Sequence, residues 1–262
     1  SLGLVGSEMC IRDRDMKGGF GLMNNLIKIF ILLFVMVSYA DNEIYIDQSG
    51  ATANLDIEQQ GSSNIIGGSN AVAGTMTALD LDGSTMTLDI NQIGSSNKFL
   101  GDIWSDSYTG FFNFAGDSNV FNMQTDPNNT YGADNSNVNV QVTGNTNNLT
   151  LNQALSALAS GLDLDWTIQG SGNSITSAID IDGATNYMNI DGNDNTITYD
   201  GDGTNASANG YFHLTHGSGN SRTFNVTQQS TLAKDWLQIN STGSNGTFCI
   251  NQNDQGTATS CP

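Results

Sequence analysis

The chain has 262 residues, of which 26 are acidic and only 7 are basic, so its formal net charge is −19. This balance excludes a typical nucleic-acid-binding protein, because almost no cations are available to neutralise phosphate groups. The length allows one elongated domain or two small ones.

Residues 1–22 are expected to be a non-native leader. Most of this stretch resembles translated sequencing-adapter sequence fused to a real reading frame, and the natural start is then Met16 or Met23. Residues 23–40 have the order of a secretory signal peptide, with an apolar run at 29–37 followed by small residues before position 41. That run is shorter than the about 20 residues that a membrane span needs.

The mature chain is therefore predicted to begin at Asp41 and to be secreted, extracellular or at the cell surface, without a membrane span. The first forty residues hold four of the seven basic and three of the 26 acidic side chains, so the mature net charge is −20. Charge of one sign favours solubility and opposes close approach of two copies.

The ten-residue sequence at 55–64 recurs at 88–97, 33 positions later, with only two differences. The underlying pattern, apolar-x-apolar-x-x-x-Gly-x-x-Asn, recurs in full or shortened form along the rest of the chain, and later turn glycines are separated by 22–28 residues. Such a period is typical of repeat architectures. The predicted repeat positions are Gln48, Gln59, Gly61, Asn64, Gln92, Gly94, Asn97, Gly116, Asn119, Gly144, Asn147, Gly170, Asn173, Gly192, Asn195, Gly217, Asn220 and Gly243.

Each repeat reads as a strand, a Gly-x-x-Asn turn, a second strand and a second turn. Alternation places Leu55 and Ile57 on one face of a strand, with Asp56 and Glu58 on the other. A unit of two strands cannot bury its apolar face alone, whereas stacked units put like side chains about 4.8 Å apart. We therefore predict an all-β fold, a β-solenoid of strand-turn-strand repeats of about 22–28 residues, over residues 41–262.

A hairpin meander is the alternative architecture. It requires two-residue turns between neighbouring strands, and the second turns of these repeats are longer and more variable.

The Gln-x-Gly-x-x-Asn element, present at 59–64 and 92–97, resembles the curlin repeat of bacterial curli subunits. The spacing of about 22 residues and the secretory leader are similar as well. The resemblance implies export through outer-membrane machinery and polymerisation into functional amyloid fibres on the cell surface. The expected partners are then further copies of the chain or related fibre subunits.

Aspartates recur in the predicted turns, often on alternate residues before a glycine. Calcium loops place oxygen ligands in this way, but Asp-Gly also forms ordinary turns, and no twelve-residue loop with its terminal Glu is completed. No other metal or cofactor is expected. The calcium candidates are Asp80, Asp82, Asp180, Asp182, Asp191, Asp194, Asp200 and Asp202.

Cys249 and Cys261 are the two cysteines of the mature chain. In an exported protein they could form a disulfide that closes the last strand region, or they could remain free thiols. His213 and His216 are three residues apart in an alternating strand, so we expect them on opposite faces.

Trp104, Tyr108, Phe111, Phe112 and Phe114 form an aromatic cluster in the sequence. Such a cluster is typical either of a sugar-binding platform or of core packing.

Together with composition and the repeats, the resemblance to curlins implies a secreted structural protein, a curlin-like subunit that forms or joins extracellular amyloid-type fibres for adhesion or biofilm matrix. The alternative is a monomeric β-solenoid surface adhesin that binds glycan or calcium. A β-helical polysaccharide lyase or hydrolase is disfavoured, and we predict no enzyme, because the mature chain has two glutamates, two histidines and no nucleophile motif.

Overall fold

The computed structural model describes residues 43–50, 52–61, 63–67, 78–125, 135–153, 161–203, 208–231 and 234–253. These ranges fall within Ala40–Pro262, one of the two units into which the chain divides. The leader and the signal peptide lie outside the described residues, and both remain predictions.

The described residues form seventeen strands in one hydrogen-bonded sheet. Their bounds are β1 Glu43–Tyr45, β2 Asp47–Ser49, β3 Thr52–Gln60, β4 Ile65–Gly67, β5 Leu79–Ile93, β6 Lys98–Ala115, β7 Val120–Thr125, β8 Asn137–Thr143, β9 Asn148–Gln153, β10 Asp163–Gln169, β11 Ser174–Asp180, β12 Thr185–Asp191, β13 Thr196–Gly203, β14 Tyr211–His216, β15 Thr223–Ser230, β16 Trp236–Ser241 and β17 Thr247–Asn253. Neighbouring strands pair in parallel throughout, as between β10 and β12 and between β11 and β13. The predicted β-solenoid is confirmed, and the meander is excluded because it requires antiparallel neighbours.

The coil has two faces. Face A consists of β1 with β2, β4 with the start of β5, the start of β6, and then β7, β9, β11, β13, β15 and β17. Face B consists of β3, the ends of β5 and β6, and then β8, β10, β12, β14 and β16. The chain passes from face B to face A through the Gly-x-x-Asn turn, so that turn lies at one edge of every coil.

The duplicated phrase lies on adjacent strands of face B, where Leu55 pairs with Leu88 and Gln59 with Gln92. Its spacing of 33 residues, rather than 22, has a local cause. Ile66 pairs with Phe99 and Leu79 pairs with Gly101, so twelve residues separate two positions in one coil that a single residue, Leu100, separates in the next. The chain between β4 and β5 is therefore eleven residues longer, and the stacking register on either side is unchanged.

The core lies between the two faces. Inward residues alternate with outward ones, and β8, β10 and β12 each bury every second residue. Side chains from opposite faces meet there: the rings of Phe112 on face B and Phe121 on face A lie 5.1 Å apart, and those of Tyr199 on face A and Phe212 on face B stack at 3.9 Å. Burial of these apolar columns is the main stabilising term, worth roughly 1.5–3 kcal/mol for each large side chain.

The predicted stacking of Gln on Gln is present at the start of the coil. Gln92 Nε2 donates to Gln59 Oε1 at 2.7 Å, and both side chains are buried. The same column then continues with Phe114, Val142 and Ile168. Apolar side chains replace the ladder in the middle of the coil because they fill the core without needing hydrogen-bond partners.

Candidate functional site: stacked turns and coil ends

The turn glycines form a stack along one edge of the coil. Gly170 has φ of +141°, and a Cβ on it would overlap the carbonyl oxygen of Gly144. Gly116, Gly144 and Gly192 are in the same situation against the preceding glycine of the stack. Only glycine permits this close approach of successive backbones, which explains why the turn keeps this residue.

A buried asparagine column, which we call the inner ladder, fixes the last position of the turn. Its members are Asn64, Asn97, Asn119, Asn147, Asn173 and Asn195, and each is at most 1 % exposed. In every step the backbone N–H of one asparagine donates to the Oδ1 of the next, at 2.7 to 3.3 Å. The amide therefore satisfies backbone donors that the tight turn leaves without a strand partner.

A second column, which we call the outer ladder, runs through the exposed second position of the turns. The backbone N–H of Asn145 donates to Asp117 Oδ1 at 2.6 Å, that of Ser171 to Asn145 Oδ1 at 2.7 Å, and that of Asn193 to Ser171 Oγ at 2.9 Å. The direction is opposite to that of the inner ladder, since here the later coil donates to the earlier side chain. Both ladders lock each turn to its neighbours.

The register of the turn changes near the C-terminal end. Gly219, not Gly217, lies against Gly192, and Gly243 lies against Gly219. Asn220 belongs to the outer ladder, because its N–H donates to Asn193 Oδ1 at 2.8 Å. The predicted repeat positions Gly217 and Asn220 are therefore wrong, because the turn lies at residues 219–222. Relative to the preceding coil, the chain has one extra residue between His216 and Gly219.

Arg222 occupies the position that asparagine holds in the six turns of the inner ladder. It is 3 % exposed, and its Nη1 donates to the carbonyl oxygens of Gly219 and Thr242. His216 Nδ1 lies 3.4 Å from the same guanidinium nitrogen, and the ring is 1 % exposed. Burial, with a contribution from the Arg222 cation, lowers the pKa of His216.

The two histidines lie on opposite faces of β14, as the alternation predicts. His216 points into the core, while His213 is half-buried on the outside, with Asn240 Nδ2 at 3.2 Å from its Nε2. They do not form a common ligand pair.

The calcium candidates are spread over the coil. Asp80 and Asp82 lie beside Asp47 at a shallow pocket of about 220 Å³, whereas Asp180 and Asp202 are paired neighbours on face A. Asp182 accepts the N–H of Ala208 at 2.6 Å.

Asp191 accepts from Ser218 Oγ at 3.2 Å, and Asp194 is a turn residue with φ of +55°. Burial, and then the charge of Asp202, raise the pKa of Asp200. Within the described ranges, no group of three His, Cys, Asp or Glu side chains converges on a possible metal position.

Cys249 is disulfide-bonded and lies on β17. Cys261 lies outside the described residues, so the predicted pairing of these two cysteines stays a prediction. A disulfide at this position would hold the terminal strand of face A against fraying.

The aromatic cluster of the sequence divides between core and surface. Tyr108, Phe112 and Phe114 are at most 1 % exposed, while Phe111 is 48 % exposed. Tyr108 donates to Gln153 Oε1 at 2.8 Å, and burial raises its pKa. Core packing thus accounts for most of this cluster.

Three further exposed aromatic residues lie on the outside of face B, near its C-terminal end. They are Tyr187, Tyr211 and Trp236, between 43 % and 65 % exposed. They are far apart in sequence, and inspection of the sequence missed them. An alignment of outward strand positions by register would have brought them together.

The two ends of the described coil leave core residues accessible. Phe248 and Ile250 on β17 are 46 % and 49 % exposed, although their counterparts Phe224 and Val226 one strand earlier are fully buried. At the opposite end Leu55 and Ile57 are only partly buried. Terminal strands have a neighbour on one side only among the described residues.

No protein-family model, curated protein or solved structure matches this chain. In the part of the chain that the structure describes, no helix has the length and apolar character to cross a membrane.

Proposed function

We propose that this protein is an exported, curlin-like structural subunit that assembles by adding strands to the ends of its coil. Ends of a parallel coil present backbone N–H and C=O groups that a further strand can pair with. A disulfide at Cys249 agrees with an oxidising compartment outside the cytosol.

The observation that carries the proposal is a match of register between the two ends. On face A the stacked columns place Ile44 and Phe248 in one inward column, and Gln48 and Gln252 in another. A second copy placed with β1 and β2 beside β17 would continue both columns, with apolar on apolar and amide on amide.

Face B has the same property. Leu237 belongs to the column of Leu55, and Ile239 belongs to the column of Ile57. Because face A begins and ends the described coil, it has one strand more than face B. When β17 of one copy pairs with β1 and β2 of the next, face A is continuous. On face B, a space for one strand then remains between β16 of the first copy and β3 of the second.

Charge sets the rate of this association. The chain carries a net charge of −19, and Asp47, Asp80 and Asp102 already stand on neighbouring strands in one outward column. Two copies therefore repel before their ends meet. Salt at about 0.15 M shortens the range of this repulsion to about 8 Å, and higher salt shortens it further.

Fibre growth of the purified protein at increasing sodium chloride concentrations tests the proposal. We expect seeded elongation to become faster with salt and the fibres to show a 4.7–4.8 Å diffraction spacing. A stable monomer without fibres at any salt concentration would reject the proposed function.

Substitutions at an end and at a lateral face distinguish end addition from unspecific aggregation. Ile250→Lys places a charge in the terminal core column and should stop elongation. Ile93→Lys is the matched control, because Ile93 is an isoleucine of similar exposure, 39 %, on the outside of face B, on β5 and far from the β17 end. Equal elongation by both variants would contradict addition at the β17 end.

A further inference from the structure

The outside of face B carries a neutral, partly aromatic surface near its C-terminal end. It consists of nine outward positions in three columns across β12, β14 and β16: Thr185, Tyr211 and Trp236; Tyr187, His213 and Gln238; and Asn189, Thr215 and Asn240. We call this surface the aromatic grid. Neighbouring strands are about 4.8 Å apart, and alternate residues along a strand about 6.7 Å apart, so the grid covers roughly 10 by 13 Å.

The first two columns of the grid carry the aromatic rings. Tyr211 and Trp236 are stacked, with ring centroids 6.3 Å apart and planes inclined by 26°. Tyr187 meets His213 edge to face at 5.8 Å. Trp236 is 65 % exposed, so most of this residue is open to solvent.

The third column presents hydrogen-bonding groups. Asn189, Thr215 and Asn240 occupy one register position on successive strands. Asn240 Nδ2 and Thr215 Oγ1 approach the same His213 nitrogen, at 3.2 and 3.5 Å. This column places amides and a hydroxyl directly beside the rings.

The nine positions of the grid contain no Asp, Glu, Lys or Arg, and the next outward residue of β12, Asp191, lies at its border. The same columns are acidic elsewhere on face B, with Asp163 and Asp165 on β10 and Asp89 on β5. Burial, and then the charge of Asp163, raise the pKa of Asp165. An uncharged, aromatic surface on a strongly acidic chain favours a ligand that has no charge, apolar C–H faces and many hydroxyl groups.

We propose that the aromatic grid binds an uncharged polysaccharide. Sugar rings lie against Trp236, Tyr211 and Tyr187, and their hydroxyl groups bond to the column of Asn189 and Asn240. This activity goes beyond end-to-end assembly, since the grid lies on a lateral face and does not require a second copy.

Affinity electrophoresis in native gels tests the proposal, with low salt to keep the protein monomeric. The gels contain hydroxyethylcellulose, galactomannan or soluble starch as neutral polymers, and alginate as the charged comparison. We expect retardation by at least one neutral polymer and none by alginate. Migration unchanged in all three neutral gels would overturn the proposal, as would stronger retardation by alginate than by any of them.

Variants assign the binding to the grid. Trp236→Ala and Tyr187→Ala should each weaken retardation at least about tenfold. Tyr187 lies on an internal strand, so its variant tests the site even if Trp236→Ala destabilises the last coil. Phe111→Ala is the control, because Phe111 is similarly exposed and stands in the column of Tyr187, three strands away. Equal loss in the Phe111 variant would overturn the assignment. A second result would also overturn it: Trp236→Ala abolishes a concentration-dependent dimer but leaves retardation unchanged. The exposed rings would then be a contact between copies of the chain.

Discussion

The backbone N–H of Asn119 donates to Oδ1 of Asn147 at 2.7 Å, across 28 residues of sequence, and both side chains are buried. The next step repeats this arrangement, since the N–H of Asn147 donates to Asn173 Oδ1 at 2.9 Å. The side chain of Asn147 thus bonds to the preceding coil, and its backbone N–H bonds to the next coil.

Asn147→Ala should lower the free energy of unfolding by about 1–3 kcal/mol, because it leaves the buried N–H of Asn119 without its acceptor. Urea denaturation followed by circular dichroism measures the effect. Asn145→Ala is the control: Asn145 accepts the N–H of Ser171 at 2.7 Å in the outer ladder, where water can replace the lost oxygen. Equal costs for the two substitutions would show that burial of the inner ladder contributes nothing.

Gly219→Ala and Gly217→Ala test the register of the displaced turn. A Cβ on Gly219 would overlap the carbonyl oxygen of Gly192, so the backbone of the coil must shift. The atoms nearest to a Cβ on Gly217 belong to the Asp191 side chain, with Oδ1 at 3.0 Å, and this exposed side chain can move. We expect Gly219→Ala to cost more than about 2 kcal/mol and Gly217→Ala less than about 1 kcal/mol. Thermal unfolding measures both costs. A larger loss of stability for Gly217→Ala than for Gly219→Ala would show that Gly217, not Gly219, belongs to the glycine stack.

His216 should make the C-terminal coils sensitive to acid. Its pKa is lowered in the folded protein, first by burial and also by Arg222. The unfolded chain therefore binds the proton more readily, and the stability that neutral His216 contributes is present above about pH 6.5 and is lost as the pH falls through the folded pKa.

His216→Gln removes this titration and leaves the other groups near the site, Arg222 and Asp191, in place. Urea denaturation between pH 7.5 and 5 should show a steeper loss of stability for the wild type than for the variant. Parallel curves would mean that the histidine does not titrate differently in the folded and unfolded states.

Asn186→Leu should stabilise the protein. Asn186 is 1 % exposed in the inward column between Leu164 and Phe212, and neither side-chain polar atom has a hydrogen-bond partner among the described residues. A buried amide without partners costs about 1–3 kcal/mol, and leucine has a similar shape. A higher melting temperature is expected for Asn186→Leu. Asn173→Leu is the contrast and should destabilise, because Asn173 accepts a bond in the inner ladder. A lower melting temperature for Asn186→Leu would indicate that this amide is satisfied.

The sequence alone determined the repeat, the strand alternation and the turn chemistry. These features follow from neighbours along the chain: residues two apart, such as Leu55 and Ile57, share a face of a strand, and a Gly-x-x-Asn sequence fits a tight turn. The same local information predicted that His213 and His216 point in opposite directions. The all-β coil could therefore be predicted without coordinates.

Only the tertiary structure decided which residues lie above one another. Contacts between coils join residues 22 to 33 positions apart. The eleven extra residues between Ile66 and Leu79, and the extra residue before Gly219, change that separation from coil to coil. Pairing of the strands on both sides of each insertion, with their inward residues in the core, keeps the coils in register. The stack of Gly219 on Gly192, the apolar residues that follow Gln92 and the aromatic grid all result from that register, because none of them involves neighbours in sequence.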